Sequence, residues 1–292
     1  MQKFEDACYA EYRNFFKIEF EKSTISDPDE KRRYSQKKAI KDSTVALIEK
    51  FPHIDPAQIW KTVYVAHVHN VSGIDDQLII DSIISADNSW KKSSGHAFEE
   101  MIKDIGNIYL SAHNIVILLQ KELSSELKKK KIANEPQDLK WLHEQCASSV
   151  FDLFLAIIKD DKYIVYGCIQ SKTSIRDRVT RDREPSIKAM DAFFFSIAIV
   201  MDGEFLKLSK FIGMVNGGTS DYKLNGWHAM YVLSFNSNGD NDRIKHIDIS
   251  FSKLISDSVQ AAAYWSTQRQ WMNGEWRPTE NSDLTAFLSA SE

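Results

Sequence analysis

The segment from residue 151 to residue 172 constrains the fold more than any other part of the chain. It contains two mainly apolar stretches, FDLFLAII (151–158) and YIVYGCIQSK (163–172), which are separated by the polar tetrapeptide KDDK. Two runs of β-forming residues that are joined by a short polar link are typical of a β-hairpin. The pattern therefore predicts two neighbouring strands in the core of the protein.

The first ninety residues are predicted to be helical. Aromatic residues recur at three- and four-residue steps, as they do on one face of an α-helix: Tyr9, Tyr12, Phe16 and Phe20. Asp27 and Pro28 are typical of the start of a second helix that reaches about Phe51, and Pro56 suits the start of a third.

Residues 91–292 are predicted to alternate between helices and strands. A helix is expected at 93–109 and another at 251–265. Outside the hairpin, strands are expected at 115–119, 193–201, 229–235 and 244–249. The fold class is therefore α/β, with a central mixed sheet of about five strands flanked by helices and preceded by the helical region 1–90.

The end of the chain contains a further turn signal. The pair Asn273-Gly274 is typical of a tight turn, and it lies between Trp271 and Trp276. This arrangement predicts a terminal hairpin with the two tryptophans stacked across it.

The charge balance excludes a protein that binds nucleic acid over its whole surface. The formal net charge is −4, from 37 Lys and Arg against 41 Asp and Glu, and 43% of the residues are hydrophobic. These values are typical of a globular protein with a substantial core. If nucleic acid is the partner, the positive charge has to be concentrated on one face.

Other function classes are excluded by features that the sequence lacks. Cys8, Cys146 and Cys168 are too scattered for a disulfide framework, so buried or half-buried thiols are expected. The longest mainly apolar stretch, residues 192–201, is too short to cross a bilayer. The glycine-rich residues 216–220 lack the spacing and the lysine of a nucleotide-binding loop. We expect a cytoplasmic protein with no membrane segment and no nucleotide cofactor.

The candidate chemistry lies at the ends of the predicted hairpin strands. Asp152 begins one strand, and Gln170 and Lys172 end the other, twenty residues further along the chain. A carboxylate and a lysine that meet at one end of a hairpin can hold Mg²⁺, orient a water molecule and offset charge on a phosphate. Hydrolysis of a phosphodiester needs these groups, because its barrier is mostly electrostatic.

A positively charged segment follows Lys172 directly. Residues 171–190 contain six Lys or Arg against three Asp or Glu, a local charge of 6 − 3 = +3. Ser174 is a candidate N-cap, and Arg176 and Arg178 follow it at positions from which arginine can read guanine or clamp phosphate. Arg181 and Arg183 are expected to contact phosphates or to pair with acids of their own helix.

These residues together resemble the PD-(D/E)XK nuclease core. The sequence KTSIRDR (172–178) is similar to a segment of type II restriction endonucleases, in particular those of the EcoRII and BsaWI type. The resemblance covers roughly residues 93–188. It implies that Asp152 binds the metal, that Lys172 positions the attacking water, that Arg176 and Arg178 read bases, and that Asp177 accepts from cytosine.

The sequence departs from the family pattern at one important place. Gln170 stands where the family usually has an acid, so the metal would lack one negative charge. Two residues can replace it. Glu184 lies twelve residues after Lys172, and Glu99 belongs to the segment SGHAFEE (94–100), which resembles a helix that such enzymes place before the core. Pro185 predicts a break between two helices at Glu184.

The resemblance implies Mg²⁺-dependent cleavage of double-stranded DNA at a short palindromic site with outer C:G pairs, CCGG or CC-N-GG. A palindromic site calls for a homodimer, because the symmetry of the protein then matches that of the DNA. The helical region 1–90 is expected to serve dimerisation or to embrace the DNA. Two alternatives stay open: a repair or structure-specific nuclease on the same core, and a catalytically silent DNA-binding module, which Gln170 favours.

Overall fold

The computed structural model describes residues 4–74, 76–172, 179–201, 206, 208–233, 243–248 and 250–278. The chain forms two compact units, Met1–Lys91 and Lys92–Glu292. The helices in the described residues are α1 (Phe4–Lys22), α2 (Pro28–Lys50), α3 (Pro56–Ser72), α4 (Gln77–Leu110), α5 (Gln120–Lys128), α6 (Pro136–Ser148), α7 (Val179–Asp191), α8 (Ser209–Asn216) and α9 (Ser252–Gln268). The strands are β1 (Ile115–Leu119), β2 (Leu153–Lys159), β3 (Lys162–Lys172), β4 (Phe195–Val200), β5 (Ala229–Leu233) and β6 (Ile244–Ile247).

The first unit contains α1, α2 and α3, which pack against one another. This confirms that the N-terminal region is helical. Helix α2 begins where the sequence predicts, because the Asp27 carboxylate accepts a hydrogen bond from the backbone N–H of Glu30 at 2.7 Å and Pro28 occupies the first turn. The buried core of this unit consists of Ala7, Cys8, Tyr12, Ala39, Leu47, Ile59, Val63 and Ala66.

The second unit is built on a mixed sheet of six strands in the order β1-β2-β3-β4-β5-β6. Strand β2 is antiparallel to both β1 and β3, whereas β3 to β6 run parallel to one another. The mixed sheet confirms the predicted fold class, and its six strands correspond to the six stretches that the sequence predicts as strands. In the parallel half, the carboxyl ends of β3 to β6 lie at the same edge of the sheet.

The predicted hairpin is formed by β2 and β3. Its turn consists of Asp160 and Asp161, both with positive φ (51° and 57°), as a two-residue turn between twisted strands requires. Strand β3 also lies very close to β4, since a Cβ atom at Gly167 would stand 2.9 Å from the carbonyl oxygen of Phe195. Glycine at this position allows the antiparallel and parallel halves of the sheet to meet in one strand.

Helices cover both faces of the sheet. Alternation along β4 places Ile197 and Ile199 in a core with α4 and α9, and Ala198 and Val200 in a core on the opposite face with α8. The second face continues over β2 and β3, where α5, α6 and α7 pack. A strand that is buried on both faces is apolar throughout, which explains the uninterrupted apolar sequence of β4.

The predicted terminal hairpin is wrong. Trp271 is 64% exposed, while Trp276 packs against the rings of Phe195 and Tyr264. The segment is held instead by Arg243, a buried arginine that donates hydrogen bonds to the backbone carbonyls of residues 274, 275 and 276. A distant guanidinium therefore replaces the cross-strand bonds that the Asn-Gly turn suggested.

The three cysteines are unpaired thiols, as the sequence predicts: Cys8 and Cys168 are buried, and Cys146 is partly buried. Burial raises the pKa of the Cys8 thiol to about 11, so this thiol is neutral at physiological pH. Among the described helices, none has the length and apolar character that a membrane span requires.

Candidate active site

The hairpin brings Asp152 and Lys172 together. Leu153 lies opposite Ile169 in the antiparallel register, so the residue before β2 meets the end of β3. Oδ2 of Asp152 accepts hydrogen bonds from the backbone N–H of Ser171 at 2.7 Å and from Nζ of Lys172 at 2.9 Å. The carboxylate therefore has a fixed position before any ligand arrives.

This pair stands at the carboxyl end of the parallel strands. Lys172 lies opposite Val200, the last residue of β4. The carboxyl edge is where open α/β sheets usually bind ligands, because the strands end there and leave room between the following segments. The side chains of Asp152 and Lys172 are 19% and 16% exposed, so the charges are screened less than on the surface and remain accessible.

Glu99 of α4 completes a small group of charges. Glu99 and Asp152 line the same cavity of about 600 Å³, together with His96, Glu100, Leu119, Gln120, Lys121 and Ser149. Burial and the nearby charge of Asp152 raise the pKa of Glu99 above its ordinary value, although a hydrogen bond from His96 opposes this shift. Two carboxylates thus face one cavity, with Lys172 beside one of them.

This arrangement is suited to a hard cation, although it is not a preformed cluster. Within the described residues, no group of three or more His, Cys, Asp or Glu side chains is close enough to hold a metal ion. Mg²⁺ in proteins commonly uses one or two carboxylates and keeps several waters, so Asp152 and Glu99 are a sufficient donor set. In addition, a divalent cation would offset the repulsion between the Glu99 and Asp152 carboxylates, which adds to burial in raising the pKa of Glu99.

Gln170 does not line the cavity that contains Asp152 and Glu99. Its side chain is 1% exposed, and its amide accepts a hydrogen bond from Nε1 of Trp227 at 2.8 Å and donates one to the carbonyl oxygen of Asp182 at 3.0 Å. The amide therefore connects β3 to α7 and to the residue two positions before β5. Sequence reasoning did not single out Trp227, since nothing in its local sequence indicates a partner 57 residues away.

The predicted helix break at Glu184 is wrong. Pro185 lies inside the continuous helix α7. Proline removes only one backbone bond, and Ser186, Ala189 and Met190 on the buried side of α7 offset that loss through their packing. The Glu184 side chain is 75% exposed and pairs with Lys188 at 2.9 Å, one turn further along the helix.

The predicted base-reading residues Ser174, Arg176, Asp177 and Arg178 lie outside the described residues. Arg181 is exposed on α7.

Arg183 contacts groups outside its own helix. It donates hydrogen bonds to the backbone carbonyls of Met214 and Leu224, and its guanidinium lies over the ring of Tyr222. Arg183 thus ties α7 to the loop after α8, and the expected pairing with acids of its own helix is wrong for this residue.

Comparison with known proteins identifies the family. A sequence profile described as "BsaWI restriction endonuclease type 2" matches residues 113–271. The solved structure described as "Crystal structure of pre-specific restriction endonuclease BsaWI-DNA complex" is 51% identical, with a TM-score of 0.78, over 96% of this chain and 100% of that chain. The chain belongs to the BsaWI family of type II restriction endonucleases. Membership confirms the resemblance that the sequence suggested.

Two further comparisons add little to this assignment. A structure described as "Crystal structure of specific restriction endonuclease AgeI-DNA complex" is 15% identical, with a TM-score of 0.46, over 87% of this chain and 91% of that chain. A comparison with curated proteins gives no significant match. The BsaWI family assignment therefore depends on the profile and on the BsaWI structure.

The bonds of Gln170 lead to a prediction about stability. Gln170→Leu removes a buried acceptor from Trp227 and a donor from the carbonyl of Asp182. Two buried polar groups without partners should lower the free energy of unfolding by about 2–5 kcal/mol. Urea denaturation measures this loss, and Gln268→Leu at an exposed position of α9 is the matched control, with a change within about 0.5 kcal/mol expected. Equal stability of the two variants would contradict the structural role.

Proposed function

We propose that this BsaWI-family endonuclease cleaves double-stranded DNA in a Mg²⁺-dependent reaction at a short palindromic site with outer C:G pairs, CCGG or CC-N-GG. The observation that carries the catalytic part is the convergence of Asp152, Lys172 and Glu99 at the carboxyl edge of the sheet. Incubation with plasmid and Mg²⁺ tests it: discrete fragments support the proposal, and uncut plasmid contradicts it.

Asp152 and Glu99 are the residues that we propose to hold the metal. When bound, Mg²⁺ supplies Lewis acidity and offsets the charge that develops on the phosphate. The bond from the Ser171 N–H to Oδ2 of Asp152 fixes the orientation of that carboxylate. Fixed dipoles and charges need no reorganisation during the reaction, and for this reason they lower the barrier.

Lys172 has the position required to act on the attacking water. Its ammonium group is 2.9 Å from Oδ2 of Asp152, so a water molecule between this carboxylate and a phosphate would also be within its reach. A cation at that place stabilises hydroxide character on the water and negative charge on the phosphate. The ion pair keeps the ammonium in place while the site is empty of DNA.

The alternative of a catalytically silent DNA-binding module is less well supported. Its main argument was the missing acid at Gln170. The position of Glu99 beside Asp152 supports an active site in which the second acid comes from α4 instead. A repair nuclease on the same core would cut according to DNA structure, so a panel of hairpins, flaps and linear duplexes distinguishes it from an enzyme that cuts one short sequence.

Sequence recognition is proposed to reside in the segment 172–178. The BsaWI structure is a DNA complex, which supports duplex DNA as the partner of this chain. We assign Arg176 and Arg178 to guanine contacts and Asp177 to cytosine, since these side chains match the donors and acceptors of a C:G pair in the major groove. A palindromic site further supports a homodimer in which each protomer reads one half.

The first functional prediction concerns the hairpin pair. Asp152→Asn and Lys172→Ala should each lower the cleavage rate by on the order of 10²–10³-fold or more, because each removes a charge at the reacting phosphate. The matched controls are Asp161→Asn and Lys162→Ala, the same changes at the opposite end of the hairpin, which should cut normally. With Ca²⁺ in place of Mg²⁺, Lys172→Ala should still bind the specific site. Normal cleavage by either site variant would remove this pair from the mechanism.

The second functional prediction decides which acid replaces the one missing at Gln170. Glu99→Gln should lose as much activity as Asp152→Asn, while Glu100→Gln, on the same helix and lining the same cavity, should keep it. Glu184→Gln belongs in the same assay, because the exposed pair of Glu184 with Lys188 is screened by solvent and does not prevent the carboxylate from turning toward a metal. If Glu99→Gln is active and Glu184→Gln is inactive, the second acid is Glu184 of α7 and not Glu99.

The third functional prediction concerns base reading. If Arg176 and Arg178 each contact a guanine, each Ala variant should lose about 1–3 kcal/mol of binding and discriminate less well at one outer C:G pair. Arg181 contacts a phosphate in this scheme. Arg181→Ala should therefore weaken binding to all sequences equally and reduce the slope of log affinity against log salt by about one unit. Binding to cognate and singly substituted duplexes over a salt series measures both effects. If Arg176→Ala and Arg178→Ala weaken binding to all duplexes equally, base reading is contradicted and the nuclease assignment is unaffected.

A further inference from the structure

Helix α2 carries the densest run of positive charge in the first unit. Residues 31–41 read KRRYSQKKAIK and contain six Lys or Arg and no Asp or Glu. The net charge of the chain is −4, so this run is opposite in sign to the protein as a whole. A local excess of this kind is the usual electrostatic footprint of a nucleic-acid contact.

The helix geometry places part of this charge in one exposed row. Ser35, Ala39, Ser43, Thr44 and Leu47 are the buried residues of α2. Arg33, Lys37 and Lys41 are exposed and follow one another at intervals of four residues, which places them one above the other on the same side of the helix. With a rise of about 1.5 Å per residue, their Cα atoms cover about 12 Å of the helix axis.

This row is unfavourable for the isolated helix. Like charges four residues apart destabilise a helix, and here the repulsion occurs twice in succession. Lys41 pairs with Asp42 at 3.2 Å, but within the described residues Arg33 and Lys37 form no ion pair with an acid. Lys38 adds a fourth cation beside the row, 6.0 Å from the ring of Tyr34. Acids lie only at the two ends of this row, with Asp29 one turn before Arg33 and Asp42 beside Lys41, so the members of the row between them carry positive charge alone.

We infer that the row formed by Arg33, Lys37 and Lys41 binds the phosphates of duplex DNA outside the recognition sequence. The inference rests on the proposed DNA-cleaving function, because a polyanionic substrate supplies the negative charge that the row lacks. Lysine and arginine in a row match the sequence-independent charge of a DNA strand and contribute affinity without specificity. The row therefore helps the enzyme to hold any DNA while it locates its site.

A second lysine run provides a matched control. Lys128, Lys130 and Lys131 are exposed at the end of α5, where the helix stops and consecutive side chains point in different directions. Lys129 is already paired with Glu126 at 2.6 Å. Replacing the three exposed lysines by Gln changes the net charge by the same amount as replacing the row on α2.

The experiment compares two triple variants, one with Arg33→Gln, Lys37→Gln and Lys41→Gln, and one with Lys128→Gln, Lys130→Gln and Lys131→Gln. Binding to a 30-base-pair duplex that lacks both CCGG and CC-N-GG is measured by fluorescence anisotropy, in EDTA and over a series of salt concentrations. The α2 variant should lose about 2–3 units from the slope of log affinity against log salt, and the control variant less than about one. Glutamine is a good helix former, so α2 should fold normally, which circular dichroism checks.

The outcomes separate this inference from the proposed function. Equal slopes for the two triple variants and the wild type would overturn the inference while wild-type plasmid cleavage still supports the nuclease. An equal loss in both variants would mean that bulk charge alone governs binding, and this also overturns it. A wild type that neither binds nor cuts DNA contradicts the proposed function itself. A third triple variant, Arg33→Lys, Lys37→Arg and Lys41→Arg, keeps all three charges. A wild-type slope for this variant would confirm that charge is the cause.

Discussion

The hydrogen bonds at the carboxylate of Asp152 are the interaction on which the rest of the site depends. One oxygen accepts both the Ser171 N–H and the Lys172 ammonium group, so two strands and two opposite charges are joined at one atom. The antiparallel register of β2 and β3 makes this contact possible, since a shift of one residue would turn Lys172 to the other face. Glu99 can then stand nearby because the ammonium group offsets part of the negative charge.

The elements that the sequence predicted best are those with local causes. The polar residues 159–162 between two apolar runs define the hairpin, and Asp160 and Asp161 tolerate the left-handed backbone that its turn needs. Asp27 and Pro28 start α2 for reasons contained in four consecutive residues. Strand-end placement also sufficed to bring Asp152 and Lys172 together, because a hairpin converts sequence spacing directly into distance.

The parts that could not be predicted depend on contacts between distant segments. Arg243 holds the backbone of residues 274–276, and no local pattern in either segment reveals the other. Pro185 suggested a break in α7, yet packing against the sheet outweighs one lost backbone bond. The position of Glu99 near Asp152 was expected only from the family resemblance, because it follows from the packing of α4 on the sheet and not from a local sequence pattern.

The two hydrogen bonds of Gln170 restrict which side chains the core accepts at position 170. A glutamate at this position would keep the acceptor for Trp227 but would set a buried negative charge against the carbonyl oxygen of Asp182. A glutamate at position 170 would therefore require compensating changes in α7 or near Trp227. Within the proposed site, the second acid therefore has to come from another element, and a single substitution at position 170 cannot supply it without disturbing the core.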